Sequence, residues 1–253
     1  MGKLEGKVAI ITGGGKGIGF GLAKAFAKEG ANLTITGRTM SRLDAAKEKL
    51  EAEYGVKVLP ITADGADEDS VANVVKQTVE TFGHIDTVVN NAQVSKSGVM
   101  LKDHTKEDFD LAIYSGLYAT FFYMRDAYPY LKESKGSVIN FASGAGLFGK
   151  LGQSSYAAAK EGIRGLTRVA ATEWGKDGIN VNVVCPLAWT AKLEQFRDAY
   201  PDAFKANVKM PPMGHYGNAE TEIGRVCVQL AMPDFKYMSG ETLTLEGGMG
   251  QRP

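Results

Sequence analysis

Cysteine, histidine and tryptophan are scarce in this chain of 253 residues, with two Cys, three His and two Trp. Cys185 and Cys227 make no disulfide framework and no zinc site. His84 and His104 stand in polar contexts with no second ligand at useful spacing, so no catalytic metal is expected. Net charge is absent too, 29 Lys+Arg against 29 Asp+Glu. Nucleic-acid-binding domains usually carry a basic excess, so that partner class is set aside. No run approaches the roughly 18 apolar residues of a membrane span. Residues 1–7 lead into a strand-like stretch without the apolar core of a leader. The expectation is a soluble, reduced, cytoplasmic chain without a membrane partner. Glycine, at 31 residues, and apolar side chains, at 44%, are plentiful, and the latter suffice for a large core.

Short apolar runs alternate with longer amphipathic stretches. Strands are expected over 7–12, 32–36, 57–62, 87–90, 137–141, 180–185 and 242–246. Helices are expected over 18–29, 41–54, 67–82, 106–132 (bent near Pro129), 155–175 and 219–231. Unbroken Val/Ile runs mark strands buried on both faces. Regular alternation of strand and helix marks a parallel sheet with right-handed crossovers. The predicted fold is α/β, one doubly wound domain over 1–253 of Rossmann type. Its irregular part, 187–218, is rich in Pro, Met and aromatics and is read as an inserted substrate loop.

The first strand runs into Thr12-Gly13-Gly14-Gly15-Lys16-Gly17-Ile18-Gly19. No register fits G-x-G-x-x-G, and Phe20 stands where a P-loop needs Lys. The spacing of Gly13, Gly17 and Gly19 is G-x-x-x-G-x-G. Missing Cβ atoms let the backbone approach a pyrophosphate, and the helix beyond offers N–H donors and a positive dipole end. Gly13, Gly15, Lys16, Gly17, Ile18 and Gly19 are therefore candidate cofactor contacts. A tight strand-to-helix turn is the plainer alternative. The second strand ends Thr36-Gly37-Arg38, without the acid that holds an NAD ribose. Arg38, with Lys16 near it, suits a 2′-phosphate, so NADP is favoured over NAD. Both cations also fit an ordinary solvated surface.

Tyr156 and Lys160 are four residues apart on one expected helix, separated by three alanines that keep the surface low. A phenol near pKa 10 is a weak base at neutral pH. An ammonium about 4 Å away, in an effective dielectric near 20, supplies roughly 4 kcal/mol, enough to bring it near 7. That suits general acid/base work. Ser143 follows the fifth strand at its carboxyl end, where ligands bind in this architecture. It is no hydrolase nucleophile, because Phe141 stands where G-x-S-x-G needs glycine.

Taken in order, the glycine pattern, Asp64, Asn90-Asn91-Ala92, Ser143, Tyr156 and Lys160 resemble the short-chain dehydrogenase/reductase family over nearly the whole chain. The resemblance implies that Asp64 contacts adenine, and that Asn90, Ala92 and Pro186 line the cofactor. Lys160 would also hold the nicotinamide ribose. Tyr156 would exchange a proton with the substrate oxygen, which Ser143 orients. Thr190 is assigned to the nicotinamide amide. The chain departs from the family pattern at Gln93, where glycine is usual, and at Leu187 after Pro186. It departs again at Gly116, where the family places the Asn of a proton relay. A water would fit the space left at Gly116.

Those departures, with Asn140–Phe148 and the tail Gly240–Pro253, resemble the bacterial hydroxysteroid dehydrogenases acting at the 12α position. That implies a bile-acid substrate such as cholate, with Gln93 and Trp189 beside Ser143 and Tyr156 at the steroid. A homotetramer is the family's usual assembly. Leu193, Phe196, Tyr200 and Phe204 recur near helical spacing around Pro201, as two short amphipathic helices over a pocket would. Lys192, Arg197, Lys205, Lys209 and His215 are candidates for a carboxylate tail. Residues 247–253 are a candidate for crossing to a neighbouring subunit. A reductase for a 3-oxoacyl thioester, a sugar or another steroid position is the alternative, and a noncatalytic NADP sensor a third.

Overall fold

Val8–Thr12 (β1) is buried along its whole length, as a strand must be when helices cover both faces. The structure, a computed structural model, describes residues 2–250. Asn32–Gly37 (β2), Val58–Thr62 (β3), Thr87–Asn90 (β4), Ser137–Phe141 (β5), Asn180–Pro186 (β6) and Thr242–Leu245 (β7) join β1 in one sheet. Its order is β3-β2-β1-β4-β5-β6-β7, and every pairing is parallel. The chain crosses from β3 back to β4 on the far side of β1. The carboxyl ends of β1 and β4 therefore form the switch point where such sheets bind ligands.

The helices are Gly17–Lys28 (α1), Met40–Tyr54 (α2), Glu68–Phe82 (α3), Lys106–Ala112 (α4), Ala119–Ser134 (α5), Gly144–Phe148 (α6) and Ser154–Trp174 (α7). Ala191–Ala199 (α8), Pro201–Asn207 (α9) and Arg225–Leu230 (α10) follow. One core cluster joins Leu22, Phe26, Leu33, Ile35, Leu43 and Val228, so α1, α2 and α10 cover one face. The other joins Ile10, Val74, Val88, Met124, Leu131 and Ala170, so α3, α5 and α7 cover the second. Each such fully buried Leu, Ile or Phe contributes about 1.5–3 kcal/mol.

Two expected helices are broken differently. Residues 106–132 form α4, a π-helical stretch Ile113–Tyr118, then α5. The irregularity is not at Pro129, which sits inside α5. Its cause is tertiary: Ser115 Oγ reaches Val94 O at 2.9 Å and accepts from Val94 N, tying the wide turn to the loop after β4. Residues 219–231 likewise begin with a π-helical stretch, Ala219–Gly224, before α10. It lies against α1 so closely that a Cβ on Gly21 would be 2.6 Å from Ala219.

Candidate active site

The glycine turn between β1 and α1 is a cradle. Gly13 and Gly17 have φ of +71° and +56°, which L side chains rarely adopt. A Cβ on Gly19 would stand 2.2 Å from Gly13 O. The loop after β4 locks on: Thr12 Oγ1 accepts from Asn91 N and Ala92 N, both at 2.9 Å, and Asn91 Nδ2 donates to Thr12 O. The first turn of α1 holds no acidic residue and no side-chain cap. Its N–H groups and dipole face a space that side chains leave clear, so these residues fit a pyrophosphate.

Arg38 and Lys16 are exposed, and neither makes an ion pair among the described residues. Gly37 brings no acid to the end of β2, and a Cβ there would meet only Leu43. Asp64, past β3, uses Oδ1 to accept from Ala66 N at 3.0 Å. Asn90 turns inward, its Nδ2 donating to Asn140 Oδ1, whose own Nδ2 donates to Thr167 Oγ1, each at 2.9 Å. Asn90 Oδ1 is buried without a partner.

Ser143, Tyr156 and Lys160 converge at the carboxyl end of β5. Ser143 caps the short helix α6, its Oγ accepting from Ala145 N at 3.2 Å. Tyr156 and Lys160 share one face of α7, with Nζ 5.5 Å from the ring centroid. Lys160 is buried and donates to Phe141 O at 2.6 Å. The tuning runs opposite to the sequence expectation. Burial pushes the Tyr156 phenol up, and the Ser143 hydrogen bond pulls back only part of that. It is Lys160 that comes to neutrality, lowered to about 7 by burial.

The space at Gly116 is filled by protein. Gln93 lays its carboxamide there, and Nε2 donates to Ala112 O at 3.3 Å. The expected opening for a water at Gly116 is thus corrected, because a long side chain reaches it from the facing loop. His104, in a polar context by sequence, stands between Ser155 Oγ at 2.9 Å and Ser154 Oγ at 3.3 Å, at the start of α7. The serine pair beside Tyr156 was the available signal. Residues 144–148 were not read as a helix, since five residues carry no periodicity. His84 lies 3.1 Å from Asp86, and among the described residues no His/Cys/Asp/Glu group is placed to hold a metal.

The loop over 187–218 carries α8 and α9, parted at Pro201 as the sequence predicts. Its base is pinned by Trp189 N to Gly217 O and Gly217 N to Leu187 O. Trp189 packs edge-on against Phe204 and Tyr216, with Arg197 over its ring. Thr190 caps α8, accepting from Leu193 N, which leaves its O–H to donate elsewhere. Arg197 pairs with Glu194 and Asp198, and His215 with Glu222. Of the candidate tail cations this leaves Lys205 and Lys209; the Lys192 side chain lies outside the described part. Met213 N donates to Gly247 O, so the start of the tail rests on its own loop; residues 251–253 lie outside the described part.

A family model described as enoyl-(acyl carrier protein) reductase matches residues 13–250. The chain belongs to the short-chain dehydrogenase/reductase family, and is an oxidoreductase using a nicotinamide cofactor. It is 66% identical to a 12α-hydroxysteroid dehydrogenase of a Clostridium species, the match covering 100% of each chain. It is 32% identical to the 3-oxoacyl-[acyl-carrier-protein] reductase FabG of Thermotoga maritima, covering 98% of this chain and 99% of that one. The crystal structure of levodione reductase superposes with a TM-score of 0.91 at 32% identity, covering 98% of both chains.

Proposed function

We propose that this chain reversibly oxidises the 12α-hydroxyl of bile acids such as cholate to the 12-oxo group, with NADP as its cofactor. The observation that carries the reading is end-to-end similarity to the clostridial 12α-hydroxysteroid dehydrogenase, at 66% identity. Support for NADP comes from Arg38 and Lys16, exposed and without ion pairs beside a β2 end that carries no acid.

When bound, the nicotinamide supplies the hydride acceptor. Gly13, Gly15, Gly17, Ile18 and Gly19 would bring backbone to the pyrophosphate, and Asp64, Asn90, Ala92, Pro186 and Thr190 would hold the rest. Tyr156 takes the proton of the substrate alcohol and returns it in reduction. Ser143 orients the same oxygen with its hydroxyl. Lys160, with a pKa of about 7, exchanges protons in the working range and holds the ribose. Gln93 and Trp189 lie on the substrate side. A homotetramer is supported by Leu111, Tyr114, Tyr118 and Phe121, apolar side chains exposed along α4, the π-helical stretch and α5. The chain is assigned to the cytoplasm, consistent with the lack of any membrane-spanning helix among the described residues.

The test is reduced-nicotinamide absorbance with purified protein, NADP or NAD, and a bile-acid pair. Turnover of cholate but not of a bile acid lacking the 12-hydroxyl supports the reading. Reduction of a 3-oxoacyl thioester without steroid turnover rejects it. Tight cofactor binding with no turnover of any alcohol or carbonyl would return the sensor reading. Arg38→Ala should lower kcat/KM for NADP about 10–100-fold, the loss of a charge-assisted phosphate contact, and barely change that for NAD. Equal losses for both cofactors would remove Arg38 from the 2′-phosphate.

A further inference from the structure

Ser143 stands at the head of a helix too short to place itself. α6 has five residues, and a helix of that length is held by what it leans on. It leans on two carboxylates. A Cβ on Gly146 would lie 2.7 Å from Glu161 Oε1, and a Cβ on Gly144 would overlap Glu246 Oε1. Neither glycine has a left-handed φ, so close approach, rather than backbone conformation, is what keeps a side chain out. Glu161, on α7, is partly exposed and pairs with Arg164 at 2.6 Å. Glu246, just past β7, is buried. A buried carboxylate is costly to keep, and an apolar side chain would fill the same space without that cost.

Glu246 has a rigid mount. Leu245 O accepts from Leu187 N at 2.9 Å, Glu246 O from Met249 N at 3.0 Å, and Gly247 O from Met213 N at 3.0 Å. Pro211 and Pro212 close over Gly247 and Gly248, at 3.1 to 3.3 Å from the places a Cβ would take. The second carboxylate oxygen is covered as well, because a Cβ on Gly250 would overlap Oε2. The carboxylate is thus wedged between the tail and the first residue of α6. Ser143 lies directly beyond that contact. Its Oγ accepts from Ala145 N and its carbonyl from Gly146 N, both at 3.2 Å. Side chain and backbone of Ser143 are both tied to the turn that begins at Gly144, so a shift of Gly144 carries the hydroxyl with it.

We propose that Glu246 is a positioning residue for Ser143. Its carboxylate, braced by the tail, sets the start of α6 and through it the hydroxyl that meets the substrate oxygen. Glu246 acts through Gly144 and exchanges no proton. This rests on cholate oxidation with Ser143 orienting the oxygen. A wild type that does not turn over cholate defeats that reading first, and Ser143→Ala at full turnover defeats the serine's part in it, whatever the Glu246 variants do.

The experiment measures kcat, KM for cholate and cofactor Kd in the wild type, Glu246→Asp, Gly144→Ala and the double variant, with melting temperatures beside them. Glu246→Asp keeps the charge and withdraws it by one methylene, opening a gap at Gly144. It should lower kcat about tenfold, because a small misplacement of a reacting group costs that much, with KM and Kd within about threefold and melting near that of the wild type. Gly144→Ala puts a methyl where Oε1 lies and should lose as much. In the double variant the methyl fills the gap, so most of the kcat should return. In a Ser143→Ala background, read at high enzyme concentration, Glu246→Asp should cost less than about twofold more, because the hydroxyl it aligns is gone. Wild-type kcat in Glu246→Asp overturns the proposal. So does a double variant no better than the weaker single one, and so does an undiminished loss in the Ser143→Ala background, which would make Glu246 a support of the whole site. If Ser143→Ala leaves no turnover to compare, the reciprocal pair decides.

Discussion

Lys160 and Lys236 sit at opposite ends of the same two strands. At the amino ends of β5 and β6, Lys236 Nζ has four acceptors for its three N–H bonds, Lys135 O, Gly136 O, Ser137 Oγ and Asn180 Oδ1, at 2.5 to 3.2 Å. At the carboxyl end of β5, the more deeply buried Lys160 donates to Phe141 O. Both amines are pulled down by burial, to about 8 and about 7. Around Lys236 the hydrogen-bonding groups are matched. At the carboxyl end of the neighbouring β4, Asn90 Oδ1 and, just past it, Gln93 Oε1 are left over. The matched end is built to hold strands together, and the unmatched end to receive something. Polar satisfaction, rather than burial or charge, separates these two lysines.

The comparison can be broken first at the unmatched end. Tyr156→Phe should cost about 10²–10⁴-fold in kcat, the worth of a positioned acid/base, with cofactor Kd within about twofold. Near-normal turnover would mean the unmatched groups serve something else. At the matched end, Lys236→Met should lower unfolding stability by about 2–3 kcal/mol in urea titration, with kcat unchanged. A variant as stable as wild type would erase the contrast between the two lysines.

Lys160 sharpens the contrast through pH. Its pKa falls from 10.5 unfolded to about 7 folded, so between those values the unfolded chain binds more protons. Stability from this group is lowest at or below about pH 7 and is regained as pH rises toward about 10.5, by at most about 1 kcal/mol per unit. Relative to Lys160→Met, wild type should therefore gain stability between about pH 7 and pH 9. No relative gain would mean that Lys160 stays charged when buried. The smallest effect is expected from His104→Ala, about 1 kcal/mol by thermal unfolding, because its two serine contacts are only partly buried.

The sheet was legible because β1, β4, β5 and β6 carry Val/Ile runs buried on both faces, and a doubly wound order explains such strands. Gly13, Gly17 and Gly19 were legible because only glycine tolerates those positive φ values and that 2.2 Å approach. Hidden from sequence were features set by contacts between distant segments. Ser115 reaching Val94 widens a helix that its residues would otherwise form regularly. Gln93 and Gly116 read as two separate departures until the fold laid one upon the other. The direction of the Tyr156–Lys160 tuning was misread because spacing reports a shared face and says nothing of desolvation.

The central position of β1 also governs how the chain comes together as it is made. One edge of β1 pairs with β2, at Val8↔Asn32, within a short stretch of synthesis. The other pairs with β4, at Ala9↔Thr87, and stays open for roughly 80 residues of elongation. For that interval an emerging chain exposes the unpaired N–H and C=O groups of a largely apolar strand, the kind of edge that recruits chaperones or a second nascent chain. Thr12 is the latch that ends it, since the same hydroxyl that reaches Val89 O accepts from Asn91 N and Ala92 N. The last step in closing that edge on the ribosome is thus also the step that assembles the floor of the cofactor cradle.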